Sequence, residues 1–467
     1  MQKADIGVIG MAVMGQNLAL NMEDKGYTVS VYNRTAQRTE DFVKERCRDK
    51  TIIPTYTLED FVNSLRRPAK ILLMVKAGQP TDEFIDKLMP LLEEQAIIID
   101  GGNSYFRDTE RRRQRVEEKG IYYLGTGISG GESGALHGPS IMPGGDYEAY
   151  QQIEEIFTKI AAQTEDGPCC AFLGPSSAGH FVKMVHNGIE YAVMEILAEC
   201  YQALRIGLGL QVEEIQRIFS EWNKGELNSY LLEITTHILE KIDQETKNPL
   251  VEVILDKAEQ KGTGKWTSQA ALDLGVSVPT ISAAVDARII SSYKDDRVKM
   301  AKKLGESLPK CLGERKEFLF QLPSAYYAAV LVSYVQGLHL LKVASAEFNY
   351  GLNLSEVARI WKGGCIIRAK LLNIIKDIYL RNPDLPHLFF SDTLANIIRP
   401  KIESLRMILI EIRKLGIPAP ALNAAMDYFE SCRSSVVPAN LIQAQRDYFG
   451  AHTYQRIDKE GSFHTQW

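Results

Sequence analysis

The sequence has no Cys-x-x-Cys pair. Its seven cysteines are scattered, odd in number, and only Cys169 and Cys170 are adjacent. That usage argues against a disulfide framework and supplies no zinc-ligand spacing, so no metal is expected and free thiols in a cytoplasmic setting are. A basic surplus is also missing. The 54 Lys and Arg stand against 59 Asp and Glu, a net charge of −5, which excludes a global positive field for nucleic acid. An anionic substrate would have to be met by locally clustered cations. No apolar run approaches the roughly 20 residues of a membrane span. The first residues do not read as a signal peptide, because residues 5–9 already form a strand pattern. What remains is a 467-residue chain, 45% hydrophobic and 24% charged. This is the composition of a globular protein too long for one core, so two or three domains are expected.

The strand at 5–9 runs into Gly10-Met11-Ala12-Val13-Met14-Gly15 and a helical stretch over 17–25. Strand, glycine turn and helix form the context of a dinucleotide fingerprint. Gly10 permits the tight turn, Gly15 permits close helix–strand packing, and Ala12 stands where a second glycine is usual. The next strand, 28–32, ends in Asn33-Arg34-Thr35. No acidic residue is there to hold a ribose 2′-hydroxyl, whereas Arg34 between small polar neighbours suits a 2′-phosphate, so NADP is expected over NAD. Strand patterns at 71–75, 96–100 and 121–124 alternate with helical stretches at 81–94 and 107–119, which predicts a doubly wound, Rossmann-like parallel sheet. Stretches 138–145 and 169–173 read as strands and turns completing it. The strand ends carry Val75-Lys76-Ala77, Asp100-Gly-Gly-Asn103 and Ser129-Gly130-Gly131. Ligands in such folds sit at these ends, and Ser129–Gly131 offers a hydroxyl and free N–H groups to a carboxylate.

From about 180 to 433 nearly every segment reads as helix, a large all-α domain. The expected division is 1–178, 179–433 and a C-terminal tail, 434–467. In the stretch 179–191, Lys183, His186, Asn187 and Glu190 fall at i, i+3, i+4 and i+7 and share one helix face. Phe181, Val182, Met184, Val185 and Ile189 cover the rest. Such a helix is expected to be buried, with its polar stripe lining a wet cleft. The helical domain also carries an internal repeat. Gly207-Leu-Gly-Leu210 matches Gly351-Leu-Asn-Leu354 at an offset of 144, and Arg217-Ile-Phe219 matches Arg359-Ile-Trp361 if two residues are deleted. At that offset the polar stripe becomes Tyr327, Val330, Leu331 and Tyr334, so its polarity reads as chemistry and not architecture. Between the copies, Lys261, Thr263 and nearby amides of Gln260–Thr267 can hold an anion, and Arg288 follows on a helix predicted over 281–293. The run 446–454 mixes Arg446, His452 and aromatics, which predicts a docked segment.

With these residues in hand, the chain resembles the 6-phosphogluconate dehydrogenases, decarboxylating NADP enzymes of the pentose phosphate pathway. The resemblance spans essentially the whole length. Its most specific pieces are Lys183-Met-Val-His-Asn-Gly-Ile-Glu-Tyr191, Lys261-Gly-Thr-Gly-Lys-Trp266 and residues 446–454. It implies Lys183 as proton acceptor and Glu190 as proton donor. It implies substrate contacts from Asn103, Ser129, Gly130, Gly131, His186, Asn187, Tyr191, Lys261, Thr263 and Arg288. NADP would lie on Gly10–Gly15, Asn33–Thr35, Val75–Ala77 and Asn103. It further implies a homodimer whose tail supplies Arg446 and His452 to the partner's site.

Oxidising a secondary alcohol requires a neutral base, and a free lysine has a pKa near 10.4. Burial, together with the like charges of Lys261 and Arg288, is expected to lower it for Lys183. Two competing readings are a non-decarboxylating β-hydroxyacid dehydrogenase and an NADP-binding sensor without turnover. The clustered cations and the repeat count against the first. An intact Lys183 and Glu190 count against the second.

Overall fold

A computed structural model of the protein describes residues 3–305 and 315–467. Seven strands form one sheet: β1 (Ile6–Ile9), β2 (Val29–Tyr32), β3 (Ile52–Thr55), β4 (Lys70–Leu73), β5 (Ile97–Asp100), β6 (Tyr122–Ser129) and β7 (Ser140–Gly145), in the order β3-β2-β1-β4-β5-β6-β7. All pairs are parallel except β6 with β7. Strands such as Ile97-Ile-Ile99 are apolar without alternation and wholly buried, as expected where helices cover both faces. The order reverses between β1 and β4, which opens a crevice at their carboxyl ends.

The sheet differs from the sequence expectation in three places. β3 went unread, being four residues long, at the sheet edge, and interrupted by Pro54. β6 continues through Gly125 to Ser129, and the helix Gly131–His137 starts directly after Gly130, so Ser129–Gly131 is a strand-to-helix junction. Residues 169–173 are not a strand. They run beside β7 through Ile141 N to Cys169 O (2.9 Å) and Leu173 N to Pro143 O (2.9 Å). The carbonyls of Pro168 and Cys170 instead accept from the Arg359 guanidinium (2.6 and 3.2 Å).

Beyond the sheet, apart from a two-stranded hairpin at Gln163–Pro168 and the last residues, 451–467, the described chain is mostly helical. The helix Ala178–Gln202 packs against Arg315–Glu347 at the centre of the larger core. Arg315–Glu347 is long and apolar enough to cross a bilayer, which the sequence reading did not expect. It is nevertheless mostly buried in that core. The repeat is real, but its offset is not 144. Gly209 and Gly351 both take φ +65°, and each leads into a capped helix. Gln211 N–H donates to the Glu214 carboxylate (3.0 Å), and Asn353 Oδ1 accepts from Ser355 N–H (3.0 Å). This sets the offset at 142 and aligns Arg217 and Phe219 with Arg359 and Trp361 without a deletion. The helices Val212–Asn223 and Tyr230–Glu240 correspond to Leu354–Ile360 and Leu371–Arg381. The later pair, Pro279–Ser292 and Pro420–Arg433, follows the same pattern. At the corrected offset Lys183, His186, Asn187 and Glu190 align with Ala325, Ala328, Ala329 and Val332. The contrast of a polar stripe with small apolar residues is sharper than the sequence alignment suggested.

Two glycine contacts bring the long helix onto the sheet. A Cβ on Gly127 of β6 would lie 2.4 Å from Lys183 Cβ. One on Gly179 would lie 2.2 Å from Met142 O and 2.3 Å from Gly125 O. The first turns of Ala178–Gln202 thus rest directly on β6 and β7, beside the crevice.

Candidate active site

The nucleotide side begins at Gly10, whose φ is +104° and whose missing Cβ would lie 2.4 Å from Met74 O. A Cβ on Gly15 would lie 1.9 Å from Gly10 O, so the turn and helix Val13–Asp24 close tightly. The N-cap of that helix is Ala12, which has no side-chain acceptor. Its first N–H groups are therefore free to receive an anion. Met11 N–H donates to Asn33 Oδ1 (3.1 Å), tying the turn to the end of β2, and Asn33 Nδ2 donates to Thr35 O (3.0 Å). Arg34 is exposed, with Glu83 at 3.9 Å as its ion-pair partner. An open helix terminus and a largely free guanidinium fit the pyrophosphate and 2′-phosphate of NADP. Val75, Lys76 and Ala77 follow β4, and Asn103, exposed, follows β5.

Under these loops lies a buried network that sequence reasoning missed. Asp100 accepts from Ser104 Oγ (2.6 Å), Tyr123 OH (2.9 Å) and Gly102 N–H (3.0 Å), with Arg112 at 3.5 Å. Arg112 also donates to Asp82 (2.9 Å) and to Gly78 O (3.0 Å). One buried guanidinium therefore joins the loop after β4 to the loop after β5. No motif spacing announces it, because its members come from four elements.

On the other wall of the crevice, the stripe of Ala178–Gln202 forms a connected set. Lys183 Nζ donates to Asn187 Oδ1 (2.8 Å) and lies 3.5 Å from His186 Nδ1. His186 Nδ1 is 3.0 Å from Asn187 Oδ1 and 3.8 Å from Glu190 Oε2, and its Nε2 is 3.3 Å from Ser129 Oγ. Asn187 Nδ2 donates to Thr263 Oγ1 (3.1 Å). Thr263 is within reach because Gly188 admits the helix Thr263–Asp273. A Cβ there would lie 2.6 Å from Thr267 Cγ2, and Thr267 Oγ1 donates to Met184 O (2.8 Å). Tyr191 packs on Gly264 and carries Arg288 over its ring at 3.5 Å. Lys261 is exposed just before Gly262, the N-cap of Thr263–Asp273.

Burial perturbs the stripe. Desolvation lowers the pKa of Lys183, partly opposed by the charges of Glu190 and Cys365. Lys261 and Arg288 do not contribute, contrary to the sequence expectation. Arg288 acts instead on Glu190, whose carboxyl is raised by burial and drawn back by Lys183 and Arg288. His186 is pushed well below the ordinary imidazole value by burial and by Lys183, so the ring is neutral. An Nδ1–H toward Asn187 leaves Nε2 as acceptor for the Ser129 hydroxyl.

A third wall also went unread. Trp361 sets its ring against His186 with centroids 5.7 Å apart. The Gly364 carbonyl accepts from Ser140 N–H (2.7 Å) and lies 2.8 Å from where a Cβ on Gly130 would be. The second repeat therefore backs the Ser129–Gly131 junction. Trp361-Lys-Gly-Gly364 was the available signal, a glycine pair after a large aromatic. Arg446 and His452 are not brought to this cleft within the chain. Arg446 donates to Gln443 (3.1 Å), and His452 packs on Phe449 (5.8 Å).

Comparison with known proteins places this geometry. Residues 5–174 match the NAD binding domain of 6-phosphogluconate dehydrogenase, and residues 179–467 match the C-terminal domain of 6-phosphogluconate dehydrogenase. The NADP(+)-dependent, decarboxylating 6-phosphogluconate dehydrogenase of Bacillus subtilis is 52% identical over 468 residues, 100% of both chains. The decarboxylating enzyme of Escherichia coli is likewise 52% identical over 100% of each. A Plasmodium falciparum 6-phosphogluconate dehydrogenase, solved in its apo form, with NADP+ and with 6-phosphogluconate, superposes with a TM-score of 0.96 at 45% identity, over 99% of this chain and 100% of that one. The chain therefore belongs to the 6-phosphogluconate dehydrogenase family.

Proposed function

We propose that the protein catalyses oxidative decarboxylation of 6-phosphogluconate to ribulose 5-phosphate and CO2, with NADP reduced to NADPH. The observation that carries this reading is the hydrogen-bonded Lys183 stripe, which meets Ser129 through His186 (3.3 Å) beside the nucleotide crevice. NADP, bound on Gly10–Gly15, supplies the hydride acceptor. Neutral Lys183 takes the proton of the C3 hydroxyl as the hydride leaves. As an ammonium it then hydrogen-bonds the new ketone oxygen. The 3-keto acid loses CO2, and the electron pair of the broken C–C bond becomes an enediolate whose oxygen Lys183 protonates. Glu190, whose carboxyl burial raises above its ordinary value, delivers a proton to the carbon that lost CO2 while Lys183 recovers the enol proton. His186, Asn187 and Asn103 orient hydroxyls, Ser129–Gly131 hold the carboxylate, and Tyr191, Lys261, Thr263 and Arg288 form the phosphate end.

The tail extends this reading. Its helix Ala439–Gly450 exposes Leu441, Ile442, Tyr448 and Phe449. A homodimer in which each tail brings Arg446 and His452 to the partner's phosphate end accounts for that apolar surface. The free, mostly buried thiols support a cytoplasmic setting.

The test follows NADPH absorbance and CO2 release together, using 6-phosphogluconate and NADP. Equal amounts of both, lost in Lys183→Ala, are expected. NADPH without CO2 would move the protein to the non-decarboxylating dehydrogenases.

A further inference from the structure

Between residues 431 and 467 a single residue is buried, and it is the acid Asp447. Its carboxylate accepts four hydrogen bonds. Oδ1 receives Thr453 N–H (2.9 Å) and lies 2.9 Å from His464 Nδ1. Oδ2 receives Thr465 N–H (3.0 Å) and Trp467 Nε1–H (3.0 Å). Burial alone would raise its pKa, but these donors hold it at about 2. The chain after the helix doubles back through paired backbone bonds between Tyr454 and Phe463 (2.8 and 2.9 Å), which returns His464–Trp467 to Asp447. Trp467 also sets its ring near Tyr448, with centroids 6.2 Å apart.

The turn that Asp447 closes carries His452. Ala451 and Thr453, on either side of it, are both left-handed, with φ +48° and +59°. Neither is glycine, so this backbone persists only if other contacts hold it. The Asp447 carboxylate on Thr453 N–H is one such contact, and Gln443 Nε2 on Thr453 O (2.6 Å) is another. Gln443 Oε1 in turn receives Arg446 (3.1 Å). A continuous set of bonds thus runs from Trp467 through Asp447 and Thr453 to Gln443 and Arg446.

We propose that Asp447 is a positioning residue which clasps His464–Trp467 and thereby presets Arg446 and His452 for the substrate's phosphate end. The inference rests on the tail reading above and adds a device to it. The two tail side chains are preorganised on a closed loop before they meet the partner, so that little ordering remains at docking.

Asp447→Asn tests it. The amide replaces one acceptor oxygen with a donor that faces two other donors. The KM for 6-phosphogluconate is expected to rise about tenfold or more, with the KM for NADP within about twofold. Trp467→Phe keeps an aromatic ring and removes the Nε1–H bond to Asp447. It should raise the same KM about threefold, and it carries the test if Asp447→Asn fails to assemble by sedimentation. In an Arg446→Ala, His452→Ala background, Asp447→Asn should add nothing further, because its effect runs through those two residues. An unchanged KM in Asp447→Asn and Trp467→Phe, with Arg446→Ala raising it, would overturn the clasp and leave the tail reading standing. Equal effects of Asp447→Asn in both backgrounds would also overturn it. An unchanged KM in Arg446→Ala, His452→Ala would remove the tail reading and this inference together.

Discussion

Glu190 and Lys183 stand two helical turns apart, and the same burial perturbs them in opposite senses. The Lys183 amine is lowered and the Glu190 carboxyl is raised, so both neutral forms are favoured, which suits a base and an acid working on one substrate. Each shift is also a stability statement. Folded Glu190 binds its proton more tightly than the unfolded chain does. That contribution is full below the unfolded value of 4.5 and is lost as pH rises through the raised folded value. Lys183 runs the other way, since stability increases with pH between its lowered value and 10.5. Glu190→Gln carries no charge to desolvate. At pH 7 it should melt at or above the parent's temperature, while kcat falls by about 10² to 10⁴. Calorimetry with steady-state kinetics checks both, and a lower melting temperature would show that the carboxylate is needed for folding. The stripe itself was legible, because four polar residues at helical spacing inside an apolar helix have few structural uses. The cause of the lysine shift was not. Sequence places Lys261 and Arg288 near the site but cannot tell that Arg288 lies over Tyr191 and acts on Glu190. Trp361 and Gly364 were illegible for a related reason, as only the second repeat's fold brings them to His186 and Gly130.

Helices and strands meet here at glycine contacts, and that sets the position of the stripe more than any side chain does. Gly179 is enclosed by main chain, with Met142 O, Gly125 O and Gly144 N all within 2.7 Å of a Cβ placed on it. Main chain cannot rotate aside as a side chain can, so Gly179→Ala should cost about 1–3 kcal/mol of stability. It should also lift Lys183 from β6 and lower kcat. Urea unfolding and turnover measured on the same preparation check this, and unchanged stability would mean the helix sits farther from the sheet. At Gly188 the nearest atoms to an added Cβ belong instead to a side chain, Thr267, with Cγ2 at 2.6 Å; Thr267 is itself buried and its hydroxyl is bonded to Met184 O and Thr263 O. The parallel strands were readable from apolar runs that end in small or polar residues. β3 was not, because four residues containing Pro54 look like loop, and pairing with β2 is what makes them a strand. The 144 offset failed through the similarity of Gly207 and Gly209. Only the left-handed φ shared by Gly209 and Gly351 tells which glycine is the equivalent one.

At the scale of the whole molecule, the tail helix is the least covered helix near the end of the described chain. Leu441, Ile442, Tyr448 and Phe449 are exposed at 62%, 58%, 70% and 71%, and no strand or other helix packs substantially on it among the described residues. Exposed aromatic and aliphatic residues in that density call for a partner surface. Sequence composition hinted at docking in 446–454. The helix runs to Gly450, with Asp447 buried under the returning residues Thr465 and Trp467. If the tail completes a site on a second copy, two inactive variants should repair one another. In a Lys183→Ala subunit the body is dead and the tail intact, and in an Arg446→Ala subunit the reverse holds. A mixed dimer then contains one site with both parts sound, formed by the Arg446→Ala body and the Lys183→Ala tail. After unfolding and corefolding equal amounts, half the dimers are mixed and one site in two is whole, so about a quarter of parental activity should return at subsaturating 6-phosphogluconate. Tails that served their own subunit would leave no site with both residues, and the mixture would show only the mean of the two variants. A monomeric sedimentation coefficient at assay concentration would make the same point by a different route.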